Sequence, residues 1–314
     1  MIRTKVGAAL LSVVSNSILI ALKLAAAAIT GSIAILTEAI HSSIDLMASI
    51  VALVSVRRAD VPPDRDHPYG HEKVENLAAT IEGMLILVGA GIIVFEATRR
   101  LASGSEVESL GVGIAVVGFS AVANFVVSGF IGRRAKTLGS PALEGDAAHL
   151  RADALTSLGV LAGLALVQVT DEPAFDSIAA IVVAVAIVVS GVRIMRRSSR
   201  VLIDEAPPAE ELDRIEASIA ASRVPEMLGY HKLRARRAGS RRWIDLHVQF
   251  RDGTSLERAH EAAHQLRDAI RAELPRADVL IHVEPESSLR EMGDSPLRWS
   301  ESGGGELSGE SRPP

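Results

Sequence analysis

Two short steps in this chain pair an imidazole with a carboxylate at the same interval: His41-Ser-Ser-Ile-Asp45 and His149-Leu-Arg-Ala-Asp153. Four residues make about one turn of an α-helix, so each pair presents its two side chains from one face. Each step lies inside an apolar stretch, where ionisable groups are costly and, when present, line a pathway or hold an ion. Two such pairs facing one another supply two nitrogens and two oxygens, a tetrahedral set that suits zinc. A single HxxxD step reads equally well as two polar residues satisfied by helix neighbours. Its recurrence in a second apolar stretch argues for one shared site.

The elements that must position these pairs are membrane spans. The chain of 314 residues is 48% hydrophobic and 23% charged, with a mean hydropathy of +0.27, which requires charge and apolar surface to be segregated. A bilayer core takes on the order of 20 apolar residues per helix, and six segments qualify, at about 6–29, 33–56, 77–98, 110–131, 144–169 and 176–195. The first is too long for the apolar region of a signal peptide, and Lys23 argues against cleavage at the alanines that follow it. Residues 1–203 are therefore expected to form an all-α, six-helix transmembrane bundle.

Basic residues give the orientation. Arg3 and Lys5 precede the first span, and Arg57, Arg58, Arg65 and Lys73 separate the second from the third. Arg133, Arg134 and Lys136 separate the fourth from the fifth, and Arg193, Arg196, Arg197 and Arg200 close the sixth. The intervening loops carry no Lys or Arg apart from Arg99 and Arg100 at the end of span 3. Both termini are expected in the cytoplasm, in a multi-pass protein of the cell (inner) membrane. The chain has no cysteine, so a metal must be held by His, Asp and Glu. The net charge of −5 sums a basic membrane face with an acidic tail and identifies no partner.

From Asp204 the pattern changes. An amphipathic helix over 209–222, strands at 227–236 and 241–250 joined around Ala238-Gly239-Ser240, a helix opened by the capping box Thr254-Ser-Leu-Glu257, and a strand at 279–284 are expected. The order αββαβ over 204–286 predicts a small α+β, ferredoxin-like domain with its sheet covered on one face. Residues 287–314, rich in Ser, Gly, Glu and Pro, cannot bury a core and are expected to be a disordered tail.

Other polar residues carry open readings. In the loop after span 2, Asp64, His67 and His71 can gather around Pro68 and Gly70 as a small metal site, or be a turn with solvated histidines. His282 and Glu284 share one face of their strand, His247 lies on the polar face of another, and His260 and His264 are an i, i+4 pair. With His231 they are a loose cluster or simply surface histidines. Asn16, Asn124 and Gln168 are expected to make interhelical hydrogen bonds. Lys23 and Glu96 are expected to snorkel. Glu38 is a candidate to support His41. Arg151 is expected to point away from His149. Glu82 stays open.

Six spans, HxxxD in spans 2 and 5, a His67-Pro-Tyr-Gly-His71 loop and a C-terminal αββαβ domain together resemble the cation diffusion facilitator family of divalent metal/proton antiporters. The resemblance covers about residues 5–285. It implies a homodimer in the lipid bilayer, with His41, Asp45, His149 and Asp153 as each protomer's transport site. It further implies a loop site at Asp64, His67 and His71, and a cytoplasmic site at the dimer interface from His231, His247, His260, His282 and Glu284. Lys73 and Asp204 resemble the family's charge interlock between membrane and cytoplasmic domains. The two His/Asp pairs resemble the zinc-preferring pattern, whereas members with Asp in place of His41 accept iron, cadmium or manganese more readily.

The expected function is efflux of a divalent cation, Zn²⁺ foremost, with protons as counter-substrate, and neither enzyme activity nor nucleic-acid binding. A broader Fe²⁺, Mn²⁺, Cd²⁺ or Co²⁺ exporter is the alternative within that class. A membrane metal sensor is the rival of another class, but it leaves the intramembrane pairs unexplained. A membrane metalloprotease is a weaker rival, on the expectation that the chain carries no H-E-x-x-H step.

Overall fold

A computed structural model of the chain describes residues 4–31, 33–103, 112–170, 172 and 174–290. It comprises two compact units, Met1–Ile203 and Asp204–Pro314. The expected tail falls on 287–314, of which 291–314 lie outside the described residues.

The first unit contains six helices: α1 (Lys5–Thr30), α2 (Ile33–Ala59), α3 (Lys73–Ser103), α4 (Val112–Leu138), α5 (Pro141–Thr170) and α6 (Ala174–Leu202). All six are long and apolar enough to cross a membrane. The helices run past the spans expected from apolarity alone, because their polar ends continue the backbone hydrogen-bond ladder beyond the apolar run. Their packing is that of a membrane bundle. Ala8, Ala52, Ala79, Ala90, Ala147 and Ala184 are buried, whereas Ile92, Phe95, Val122, Phe125 and Val182 face outward. Small residues let helix backbones approach where lipid removes any hydrophobic drive between helices. Between α3 and α6 the approach is close enough that a Cβ at Gly191 would meet Ile86 Cγ2 at 3.0 Å. Helix α5 packs against each of the other five, so its side chains reach the centre of the bundle.

The second unit is α7 (Ala209–Ala221), β1 (Met227–Ala238), β2 (Arg241–Phe250), α8 (Leu256–Glu273) and β3 (Ala277–Pro285). The strands form one sheet in the order β1-β2-β3, β1 antiparallel and β3 parallel to β2. This is the expected αββαβ order. Ile244, Leu246, Val248 and Phe250 alternate along β2 and pack with Ile215 and Ile219 of α7 and Leu266 and Ile270 of α8. Each such buried side chain contributes about 1.5–3 kcal/mol relative to exposure. Both helices therefore cover one face of the sheet and leave the other open.

Two local expectations are corrected. Helix α8 is capped by Ser255, whose side chain accepts from Arg258 N, because Thr254 is engaged in the preceding turn, donating through Oγ1 to Arg251 O at 2.7 Å. Residues Glu286–Arg290, the first of which close the cytoplasmic domain and the rest of which open the expected tail, form a 3-10 turn. Ser287 N donates to Asp252 Oδ1 (3.1 Å) and Gln249 Nε2 to Ser288 Oγ (3.1 Å).

Candidate metal centres

The two HxxxD steps meet between α2 and α5. Each helix brings its own pair to one face, and the α2–α5 contact sets the pairs against one another. His149 Nε2 lies 3.2 Å from Asp45 Oδ1 and 4.0 Å from Asp153 Oδ2. Ligand atoms of His41, Asp45 and Asp153 all lie within 4.8 Å of one another. A tetrahedral zinc ion with ordinary Zn–N and Zn–O bonds needs donor separations of about 3.3–3.6 Å. His41, Asp45 and Asp153 thus form a three-residue cluster somewhat wider than that, and His149 borders it through Asp45 and Asp153. Asp45 and His149 are buried, Asp153 is half-buried and His41 is exposed. The nitrogen of His149 that faces the carboxylates, Nε2, shares a hydrogen bond with Asp45 Oδ1, whereas Asp153 Oδ2 has no hydrogen-bond partner and is left for a cation to satisfy.

The surroundings differ in part from expectation. Asn16 does bond across helices, donating to Ser49 Oγ at 2.8 Å. Glu38 does not support His41; it pairs with Lys23 at 3.1 Å. Lys23 is buried rather than snorkelling, because Glu38 and the hydroxyl of Ser42 (2.7 Å) both receive its ammonium. Glu96 is half-buried and bonded by Arg100 at 3.0 Å. Gln168 and Arg151 are exposed, and Asn124 Oδ1 is buried without a partner. Asp146, three residues before His149 and unremarked in the sequence, is fully buried, accepting from Ser12 and Ser49 at 2.9 Å each. Its i−3 position relative to a ligand was the available signal. Glu82 is also fully buried.

The loop between α2 and α3 closes on Asp64. Its Oδ1 accepts from the backbone of Asp66 (3.0 Å) and His67 (2.7 Å), and Gly70 turns the chain at φ 89°. The backbone bond from His67 above all, helped by the His67 side chain and the nearby imidazoles, holds the Asp64 carboxyl below its ordinary value. His71 is buried and its Nδ1 donates to Val61 O at 3.3 Å, since a carbonyl can only accept. That tautomer leaves an Nε2 lone pair 3.3 Å from Asp64 Oδ2, without hydrogen-bond geometry. The His67 and His71 rings stand 4.4 Å apart, and all three residues converge within 4.8 Å. An oriented imidazole beside a carboxylate suits a cation.

In the second unit His231, His247 and His282 lie directly opposite one another across β1, β2 and β3, on the open face of the sheet. Glu284 sits one step along β3 on the same face. It accepts from His231 Nε2 (3.0 Å), His247 Nδ1 (2.5 Å) and Gln249 Nε2 (2.8 Å), and His282 Nε2 lies 3.5 Å away. Burial pushes the Glu284 carboxyl up, but the bonds from His247, His231 and Gln249 outweigh it and hold the group at about 2. His260 is not part of this row. It lies exposed on α8, which covers the other face, and stacks on His264 with ring centroids 4.1 Å apart.

The expectation that no H-E-x-x-H step is present is corrected, since His260-Glu261-Ala262-Ala263-His264 spells that step of zinc peptidases. The structure gives it none of a peptidase's setting. The pair is exposed, Glu261 Oε2 is taken by Arg258 at 2.9 Å, and among the described residues no third ligand converges on it. Lys73 Nζ donates to Leu202 O at 3.3 Å within the first unit, and Asp204 accepts from Arg236 Nη1 at 3.1 Å within the second.

Comparison with known proteins follows these geometries. Residues 9–203 match the cation efflux transmembrane domain, and residues 207–286 the cytoplasmic domain of cation efflux proteins. An uncharacterised transporter of Synechocystis is 32% identical over 277 residues, 88% of this chain and 89% of its own. The cation-efflux pump FieF of Yersinia pestis is 33% identical over 278 residues, 88% of this chain and 92% of its own. Among solved structures, the zinc form of CzrB is 37% identical over 27% of this chain and 94% of its own, with a TM-score of 0.26.

Proposed function

Because this chain belongs to the cation diffusion facilitator family of cation efflux transporters, we propose that it exports Zn²⁺ from the cytoplasm in exchange for protons. The observation that carries the metal reading is the convergence of His41, Asp45, His149 and Asp153 from two membrane-spanning helices. Two carboxylates offset the charge of a divalent ion, and two neutral imidazoles complete a shell that replaces its water. Nitrogen donors in half of that shell favour zinc over the harder Mn²⁺ and Mg²⁺.

Protons compete with metal for all four donors. A bundle that opens this site alternately to either side then loads metal from the cytoplasm and protons from outside, so that the proton gradient drives efflux. The Lys/Arg distribution supports cytoplasmic termini, with the N-terminal end of α5 on that side. In this reading the second unit is a cytoplasmic metal-binding and dimerisation domain. The row His231, His247, His282 and Glu284 supplies its donors, and His260 joins only from a second copy, since its own sheet separates it from that row.

Purified protein in sealed vesicles tests this. An imposed pH gradient should drive zinc uptake, and zinc entry should dissipate the gradient. Zinc flux without proton movement would leave transport and remove antiport; binding without flux would favour a sensor.

A further inference from the structure

Glu82 on α3 is fully buried within a candidate span, and neither Oε1 nor Oε2 has a hydrogen-bond partner. Its carboxyl occupies space left by Gly145 on α5, where a Cβ would lie 2.0 Å from Glu82 Oε2. The next residue is Asp146, whose own Oδ2 is likewise buried and unpartnered. Three buried carboxyl oxygens on adjoining turns of α3 and α5 thus lack donors. The charged group within reach of Glu82 is Asp146; Asp146 is faced by Ser12 of α1, Ser49 of α2 and, on its own helix, His149.

An ionised carboxylate with no donor and no counter-charge costs far too much to persist in such a place, so the group is neutral or holds a cation. The oxygens beside it are short of hydrogens as well. Ser12 Oγ, Ser49 Oγ and Asp146 Oδ1 form a triangle with sides of 2.8, 2.9 and 2.9 Å, but the two hydroxyls bring only one hydrogen each. Asp146 precedes His149 by three residues, about 4.5 Å along the helix axis toward the N-terminal end of α5.

We propose that Glu82 is a proton-carrying residue of this transporter, paired with Asp146 as a second buried acidic station on the cytoplasmic side of the metal site. This deepens the antiport reading and rests on it. In the conformation described, Glu82 holds its proton as a carboxylic acid. When the region opens to water the O–H bond breaks, the electron pair stays on the carboxylate and the proton leaves to solvent. The carboxylate then adds to the negative field that draws a divalent ion toward Asp45 and His149. The station therefore adds one proton per metal ion to those displaced from the metal ligands themselves.

The test uses the full-length protein and Glu82→Gln, which keeps the shape of the neutral acid but cannot titrate. Infrared spectra of purified wild type near neutral pH should contain a protonated-carboxyl carbonyl band that Glu82→Gln lacks. Identical spectra would overturn the proposal, whether or not the protein transports. In sealed vesicles Glu82→Gln should move one proton fewer per zinc ion than wild type; an unchanged ratio would overturn it. Wild type that moves no zinc would refute the function above, while the infrared comparison still decides whether Glu82 holds a proton. Should Glu82→Gln fail to fold, Asp146→Asn supplies the second comparison. It should shift the Glu82 band by changing its neighbour, and an unmoved band would overturn the pairing.

Discussion

His247→Ala in the isolated cytoplasmic unit separates a metal site from a row of surface histidines. The unit has its own core, so residues 204–290 can be studied alone. Zinc at about 100 times its dissociation constant stabilises a folded form by about 2.7 kcal/mol. For a domain of this size that raises the melting temperature by roughly 11–22 °C. Removing His247 takes away one of four donors in the row. If affinity then falls about 100-fold, the upper end of what losing even a ligand's supporting partner costs, the same zinc concentration leaves a gain of about 0.4 kcal/mol. The metal-free domain should also lose about 1–3 kcal/mol, because Glu284 forfeits its bond from His247. Melting curves with zinc and with chelator separate the two effects, since only the first depends on metal. A zinc-dependent gain in His247→Ala within a few degrees of wild type would refute the shared site. His260→Ala should reduce the gain only at concentrations where the domain dimerises, since α8 lies on the other face of the sheet.

Three further outcomes follow from the same geometry. Asp45→Asn removes one of the two charges offsetting the ion and should abolish zinc flux in vesicles while leaving helix content by circular dichroism unchanged. His41→Asp exchanges a nitrogen for a hard oxygen and should shift relative transport rates toward cadmium, manganese or iron; unchanged ratios would place selectivity elsewhere. Glu211, buried beneath Arg237 and Arg242, is pushed up by burial, yet the bonds from Arg242 and Arg237 outweigh this and hold its carboxyl below 4.5. Its contribution is therefore full above that pH and lost as pH falls below it. Glu211→Gln should destabilise the cytoplasmic unit by about 1–3 kcal/mol near neutral pH and flatten its acid unfolding curve.

What the sequence made legible was whatever depends on a single element's period. The i, i+4 recurrence placed His41 with Asp45 and His149 with Asp153 before any partner helix was known. Alternation along β2 sorted Ile244, Leu246, Val248 and Phe250 from His247, and spacing put His282 and Glu284 on one face of β3. What stayed illegible depends on rotation about a helix axis relative to a neighbour. In a bundle held by small residues, hydrophobicity does not say which face meets which. Lys23 could thus be read as snorkelling although Glu38 and Ser42 bury it, and Asp146 could pass unnoticed although α1 and α2 both close on it. The HEAAH step at 260–264 shows the converse. The motif stands in the letters against the expectation of its absence, and its exposure on α8, the hold of Arg258 on Glu261 and the lack of a third ligand among the described residues deprive it of meaning.

The candidate sites also differ in how far their polar atoms are satisfied without metal, and that difference bears on their roles. In the membrane, Asp153 Oδ2 is left without a partner and His149 Nε2 is bonded to Asp45 Oδ1, so an arriving ion displaces that bond and few others. A site that must load and release on every cycle benefits from that, because each bond broken on entry must be re-formed on exit. Glu284 is the opposite case, already bonded by His231, His247 and Gln249. Metal can take those imidazoles only by dismantling a satisfied network that ties β1 and β2 to β3. Its binding energy is then drawn into rearranging three strands at once, which suits an ion that stays and changes the domain's stability better than one that passes through.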